Sequence, residues 1–252
     1  MAEMITSRTN PLMTHIRKLA SSRSYRREQR EYIGDGIKLL EEAVKWGAPL
    51  TTVIYTKGTA LPPLGGQVRV VEVPEDLMRS ISPMDAPQGA LFAARLPDEE
   101  LPGTLSGKRY LALEGVQDPG NVGTILRTAD AYEADGVILL EGCADLYNPK
   151  TVRASMGALF RMKAWSTSLE KLCPVLCEAG LPLMGAALRE DTVDARSADL
   201  RTAVILIGSE GKGLSAAALD ACDKTIRIPM SERCESLNAA IAAATLLWEG
   251  YR

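Results

Sequence analysis

Histidine is nearly missing from this chain of 252 residues, with His15 standing alone. A Ser-His-Asp triad or a His-built metal site therefore has nothing to be made from, and His15 itself is expected to be an exposed helix residue. The five cysteines, Cys143, Cys173, Cys177, Cys222 and Cys234, are odd in number and lack the paired C-x-x-C spacing of a metal site. Cys173 and Cys177, four apart on an expected helix, read as core packing, and no metal is expected. No apolar run approaches the length of a membrane span, and the polar start Met1 to Arg8 does not read as a signal peptide. A cytoplasmic protein without membrane contact is expected. Internal repeats and low-complexity segments are missing too.

What is present suffices for a full core. At 252 residues and 46% hydrophobic, the chain is expected to hold two domains. The net charge of -3 is unevenly placed. Residues 8 to 30 hold Arg8, Arg17, Lys18, Arg23, Arg26, Arg27 and Arg30 against one acid, Glu28. That is a phosphate-binding signature, although a solvated helix docked through Leu12, Ile16 and Leu19 would carry the same charges.

Three segments after residue 107 each run an apolar strand into a polar turn that opens a helix, the way α/β sheets build ligand sites at strand ends. The first is the strand Tyr110-Leu-Ala-Leu-Glu114, the turn Gly115-Val-Gln-Asp-Pro-Gly-Asn121 and a helix with Val122, Ile125, Leu126 and Ala129 inward; Asn121 is expected to be its N-cap. Arg127 follows on that helix, as a solvated residue or a phosphate fork. The second is the strand Ala203 to Ile207, then Gly-Ser-Glu-Gly-Lys-Gly213, then a helix from Leu214 to Asp220. Glu210 there could cap the helix. A nucleotide-phosphate loop is excluded by spacing, because only Ser209 and Glu210 separate Gly208 from Gly211-Lys212, and residue 216 is Ala where a G-x-G-x-x-G pattern needs Gly. The third is the strand Ile226 to Ile228, ended by Pro229. Ser236 is expected to cap the helix after it, with Leu237, Ala240, Ile241, Ala244, Leu247 and Trp248 on its packing stripe.

The N-terminal region alternates elements: a strand at Tyr32-Ile33, a helix from Ile37 to Trp46, strands at Thr52 to Tyr55 and Val68 to Val73, a helix from Glu75 to Ile81 and a strand from Gly89 to Arg95. Such alternation predicts a small α/β/α domain over residues 1–95. Residues 96–107, rich in Pro, Gly and acid, read as a linker, and residues 108–252 as a second α/β domain.

In order and spacing, three motifs resemble the SpoU (TrmH-like) RNA 2′-O-ribose methyltransferases of the SPOUT superfamily. They are Asn121-Val-Gly-Thr-Ile-Leu-Arg-Thr-Ala129, Ile207-Gly-Ser-Glu-Gly-Lys-Gly-Leu-Ser215, and Ile228-Pro-Met230 with Ser236-Leu-Asn238; Arg153-Ala-Ser-Met-Gly-Ala-Leu-Phe160 matches the stretch between the first two. Glu232 departs from the family, which carries Gly there. Asn10-Pro11 and Gly34-Asp-Gly36 resemble the RNA substrate-binding domain ahead of many SpoU domains, with Asp35 in place of the usual Glu.

The resemblance implies an α/β SPOUT domain with a deep trefoil knot, a topology that general fold rules disfavour. It implies S-adenosyl-L-methionine contacted by Gly208, Ile228, Met230 and Leu237, and a catalytic set of Arg127, Asn121, Glu210, Ser236 and Asn238. Arg8, Arg17, Lys18, Arg23, Arg26 and Arg27 are expected to bind RNA, with ribosomal RNA favoured over transfer RNA, in a homodimer. The alternatives are a transfer RNA 2′-O-methyltransferase, a catalytically idle RNA-binding protein of the same fold, and a base methyltransferase of another SPOUT branch, which Ser236-Leu-Asn238 disfavours. A bulky side chain at Gly208 is expected to block the cofactor while leaving the fold intact.

Overall fold

The computed structural model describes residues 3–98, 100–189, 192–231, 233–234 and 236–252. Glu232 lies outside the described residues. In chain order the elements are β1 (Glu3–Met4), α1 (Pro11–Ser21), α2 (Arg23–Gln29), β2 (Glu31–Asp35), α3 (Ile37–Lys45), β3 (Leu50–Thr56), β4 (Arg69–Val73), α4 (Glu75–Ile81) and β5 (Ala90–Arg95). They continue as β6 (Arg109–Leu113), α5 (Pro119–Ala131), β7 (Gly136–Leu139), α6 (Pro149–Ala154), β8 (Ala164–Ser166), α7 (Leu169–Ala179), β9 (Leu183–Ala186), β10 (Val193–Asp194), β11 (Ala203–Ile207), α8 (Ala216–Ala221), β12 (Lys224–Arg227) and α9 (Ala239–Tyr251).

Two compact units result: residues 1–98 with 145–160, and residues 99–144 with 161–252. A boundary set in the linker near residue 100 does not anticipate that 145–160, including α6, packs with the first unit. The physical tie is Asp145. Its carboxylate accepts from Arg26 Nε at 3.0 Å and Nη2 at 2.5 Å, and its carbonyl accepts from the Thr151 hydroxyl at 3.0 Å.

The first unit is a five-stranded sheet of order β1-β4-β3-β5-β2, with β5 antiparallel to both neighbours. Asn10 caps α1 by accepting from the Leu12 N–H at 2.9 Å, with Pro11 opening the helix. The apolar stripe Leu12, Met13, Ile16 and Leu19 is buried in the same core as Ile33, Ile54, Val71 and Leu91. His15 is not a free surface residue: its ring nitrogens bond Tyr25 Oη at 2.9 Å and Glu31 Oε2 at 2.8 Å.

In the second unit seven strands run parallel in the order β10-β12-β9-β11-β6-β7-β8. Fully buried runs such as Ala203–Ile207 and Gly136–Leu139 suit a sheet covered on both faces. Because β6, β11, β9 and β12 are neighbours and parallel, the loops that leave them emerge at one edge of the sheet. α9 packs on α5 and β11 through Ala239, Ala240, Ala243, Leu246, Leu247 and Gly250. The stripe expected from sequence is rotated: Ile241 and Trp248 are 55% and 49% exposed.

Candidate functional site

The caps decide which polar side chains are free for chemistry. At α5 the N-cap is Asp118, accepting from the Gly120 N–H at 2.9 Å, not Asn121. At α9 it is Asn238, whose Oδ1 accepts from Ala240 N–H at 2.9 Å and Ile241 N–H at 3.3 Å, not Ser236. α8 is capped by Ser215, accepting from the Ala218 N–H at 3.1 Å, so Glu210 does not cap it. Asn121 and Glu210 are thereby released toward one another.

Asn121 Nδ2 donates to Glu210 Oε1, and Asn238 Nδ2 donates to Asn121 Oδ1 at 3.2 Å. One hydrogen-bonded row thus joins the loops after β6, β11 and β12. Beside it lies a cavity of about 520 Å³ lined by the ends of β9, β11 and β12 and the start of α9. Gly208, Ile228, Met230 and Leu237 all line it, as do Glu210 and Ser236. The size is that of a cofactor site, and the wall combines apolar side chains with main-chain groups as such sites do.

The turn 208–214 is held shut by mutual bonds between Ser209 and Gly213, N–H to carbonyl at 3.2 and 2.9 Å. A Cβ on residue 208 would lie 2.6 Å from the Gly213 carbonyl oxygen and from the Leu214 nitrogen. Glycine is therefore required by the backbone itself. Gly208→Val would force the backbone at Gly213 and Leu214 to shift, so the turn itself would change, which corrects the expectation that such a variant blocks the cofactor with no other structural change.

Glu114 and Arg227 at this site lie outside the three motifs, and Lys212 lies within the second without an assigned role. Glu114 directly follows β6 and accepts from Ser215 N–H at 2.8 Å and Ser215 Oγ at 2.7 Å, tying the loop after β11 back to β6. Lys212 and Arg227 are cations on the cavity wall. A carboxylate at a strand end next to a Gly-rich turn was the available clue for Glu114.

Arg127 is not joined to this row. It lies six residues beyond Asn121, about 9 Å along the helix axis, on the exposed side of α5, and has no hydrogen bond or ion pair to a described residue. In the first unit the basic set divides. Arg26 is 3% exposed, spent on Asp145 and on the Leu19 carbonyl at 2.7 Å, and so cannot serve as a phosphate contact. Arg8 pairs with Asp76 at 3.0 Å, and Arg17 donates to Ser80 and to the Arg8 carbonyl. Lys18 sits over the Tyr25 ring, Arg23 lies 3.8 Å from Asp145 and half exposed, and Arg27 is exposed.

A covered parallel sheet with a cofactor-sized cavity and a polar row at its strand ends defines an α/β enzyme of the ligand-at-strand-end kind. The SpoU rRNA Methylase family model matches residues 108–248, and the model of an MRM3-like substrate binding domain matches residues 10–92. The chain belongs to the SpoU rRNA methylase family. It is 29% identical, over 98% of both chains, to the 23S rRNA (guanosine(2553)-2′-O)-methyltransferase RlmP of Bacillus subtilis. It is 30% identical to the 23S rRNA (uridine(2479)-2′-O)-methyltransferase of Streptomyces viridochromogenes, covering 100% of this chain and 92% of that one. Among solved structures, the AdoMet-bound rRNA methyltransferase from Sinorhizobium meliloti superposes with a TM-score of 0.86 at 32% identity, covering 99% of this chain and 97% of that one.

Proposed function

We propose that this chain is an S-adenosylmethionine-dependent methyltransferase acting on a ribose 2′-hydroxyl of ribosomal RNA. The observation that carries the reading is the convergence of Gly208, Ile228, Met230 and Leu237 on one cavity, with Asn121, Glu210 and Asn238 bonded in a row beside it. Membership of the SpoU family and relatives named for 23S rRNA support the reaction and the RNA class.

The residues fit the cofactor on structural grounds. Gly208 brings main chain to the cavity wall where any side chain would collide, and Ile228 and Leu237 provide apolar surface for an adenine ring. When bound, S-adenosylmethionine supplies a sulfonium methyl open to in-line attack by an oxygen. The chain's own residues must align that oxygen and manage its proton. Arg127 orients the ribose through its phosphate and relays the hydroxyl proton; a guanidinium is too weak a base to take it alone. Glu210 is the next acceptor for it. Ser236 and Asn238 hold the cavity's rim at the mouth of α9.

Residues 8–30 bind the RNA backbone through Lys18, Arg23 and Arg27, with Arg8 and Arg17 supporting. The enzyme is a cytoplasmic homodimer, Arg127 acting beside the cofactor of the partner subunit; exposed Ile241 and Trp248 on α9 are apolar surface of the kind an interface covers. Among the described residues, no helix is long and apolar enough to cross a membrane. The loops after β11 and β12 form the trefoil knot, in keeping with β11 lying between β6 and the earlier strand β9.

Titration calorimetry with S-adenosylmethionine tests the site. Binding is expected in the wild type and is lost in Leu237→Trp, which fills the cavity. A wild type that binds RNA but no cofactor would instead be an idle RNA-binding protein.

A further inference from the structure

Asn238 has no freedom in its amide. The Ala240 and Ile241 N–H groups both point at one end of the side chain, at 2.9 and 3.3 Å, and only the oxygen can meet two donors. The Nδ2 group must then face away from the helix, and there it donates to Asn121 Oδ1 at 3.2 Å. Asn121, its oxygen used, can present only N–H to its other neighbour, and it donates to Glu210 Oε1. Polarity therefore runs one way, from the first turn of α9 through two amides to a carboxylate. Glu210 is left with its second oxygen free of described partners, at a cavity whose wall also holds Lys212 and Arg227.

We propose that Asn238 is a positioning residue, which acts through Asn121 to hold Glu210 as a hydrogen-bond acceptor, its second oxygen reserved for a donor group of the bound ligand. That donor is an ammonium of the cofactor or a ribose hydroxyl of the RNA, an identity that rests on the function proposed above. The orientation of the row does not rest on it.

The test is Asn238→Asp. Aspartate caps a helix about as well as asparagine, so α9 and the melting temperature are expected to stay close to wild type. The new carboxylate has no N–H for Asn121, however, so the Asn121 amide turns to donate to it, and the Asn121 oxygen then opposes Glu210. Three results are expected. In nuclear Overhauser spectra the Asn121 Nδ2 protons leave Glu210 and approach residue 238. Methyl transfer falls about 10²-fold, the scale of a lost orienting group. Adding Glu210→Gln gives the turned oxygen an N–H to accept, so the double variant melts higher than the sum of the two single changes predicts. Calorimetry separates the donors: a tenfold or greater loss of S-adenosylmethionine affinity in Asn238→Asp identifies the cofactor ammonium, and unchanged affinity with lost transfer identifies the ribose hydroxyl.

The proposal is overturned if the Asn121 protons stay with Glu210 in Asn238→Asp, if the two changes are additive, or if both affinity and transfer are unaltered. The spectra and melting curves need neither cofactor nor RNA. A wild type that transfers no methyl, with an Asn121 amide that turns in Asn238→Asp, would refute the proposed function alone, and an active wild type whose amide does not turn in that variant would refute only the relay.

Discussion

Catalysis as proposed rests most heavily on Arg127. If its guanidinium orients the ribose, Arg127→Ala is expected to cut single-turnover methyl transfer by about 10² or more while cofactor affinity, measured by calorimetry, barely changes. Arg127→Lys keeps the charge and loses the planar fork, so it is expected to restore little. Near-normal turnover in Arg127→Ala would take this residue out of the mechanism. The types and spacing of the site residues were legible in the sequence, but the jobs of Asn121, Ser236 and Glu210 were not. Asp118 and Asn121 are both good cap residues, as are Ser236 and Asn238, and propensity does not separate them. At α5 a clue existed: Pro119 fits the first helical position, which makes Asp118 the cap. Once Asp118 caps, Asn121 is free to bond Glu210, a relation across 89 residues that no local pattern could display.

At the scale of elements, the basic helices α1 and α2 mix two kinds of arginine that look alike in sequence. Arg26→Ala would strip the part-buried Asp145 of its two close hydrogen bonds and leave it only the half-exposed Arg23 at 3.8 Å, at a cost of about 1 to 3 kcal/mol, and thermal melting should show it. Neutralising Lys18, Arg23 and Arg27 is expected to leave melting nearly unchanged and to flatten the log-log salt dependence of RNA binding by about 0.7 to 0.9 for each phosphate no longer neutralised. An unchanged slope would make these three a solvated face. In β2, burial raises the Asp35 carboxyl above its ordinary value, against the Ser82 hydroxyl bond at 2.5 Å and nearby Arg153, which lower it. A raised folded-state value means the folded unit holds the proton more tightly than the unfolded chain. Stability then falls as pH rises from the ordinary carboxylate range through the raised value, and stays lower above it. Asp35→Asn keeps an acceptor for Ser82, so its melting temperature at pH 7 is expected to exceed wild type, the gap closing in acid. Between residues 31 and 95 the strands and helices were legible because their periods and breakers agree, whereas β1 and α6 were not read. α9 was not, because Ala-Ala-Ile-Ala-Ala-Ala-Thr-Leu-Leu-Trp is apolar almost all round and leaves no polar face to fix its rotation.

For the whole molecule, the sequence pattern carried the three strand-turn-helix loops but not α6, β8, β9 or β10, which lie between the first and second of them, and pairing across the seven-stranded sheet is long-range. That β11 lies between β6 and β9, bringing the three loops to one edge, follows from packing rather than from any local signal. The place of residues 145–160 in the first unit likewise depends on the Arg26–Asp145 pair, separated by 119 residues. Methyl transfer to a ribose oxygen of ribosomal RNA is the one activity that the three loops and the cavity beside them would serve. The most direct measurement incubates the purified protein and S-adenosylmethionine carrying a labelled methyl with unmodified ribosomal RNA, and then maps the label at nucleotide resolution. Label is expected at a ribose 2′-oxygen and is expected to fall about 10²-fold or more in Arg127→Ala; label on a base, or none with cofactor and RNA both bound, would contradict a ribose 2′-O-methyltransferase.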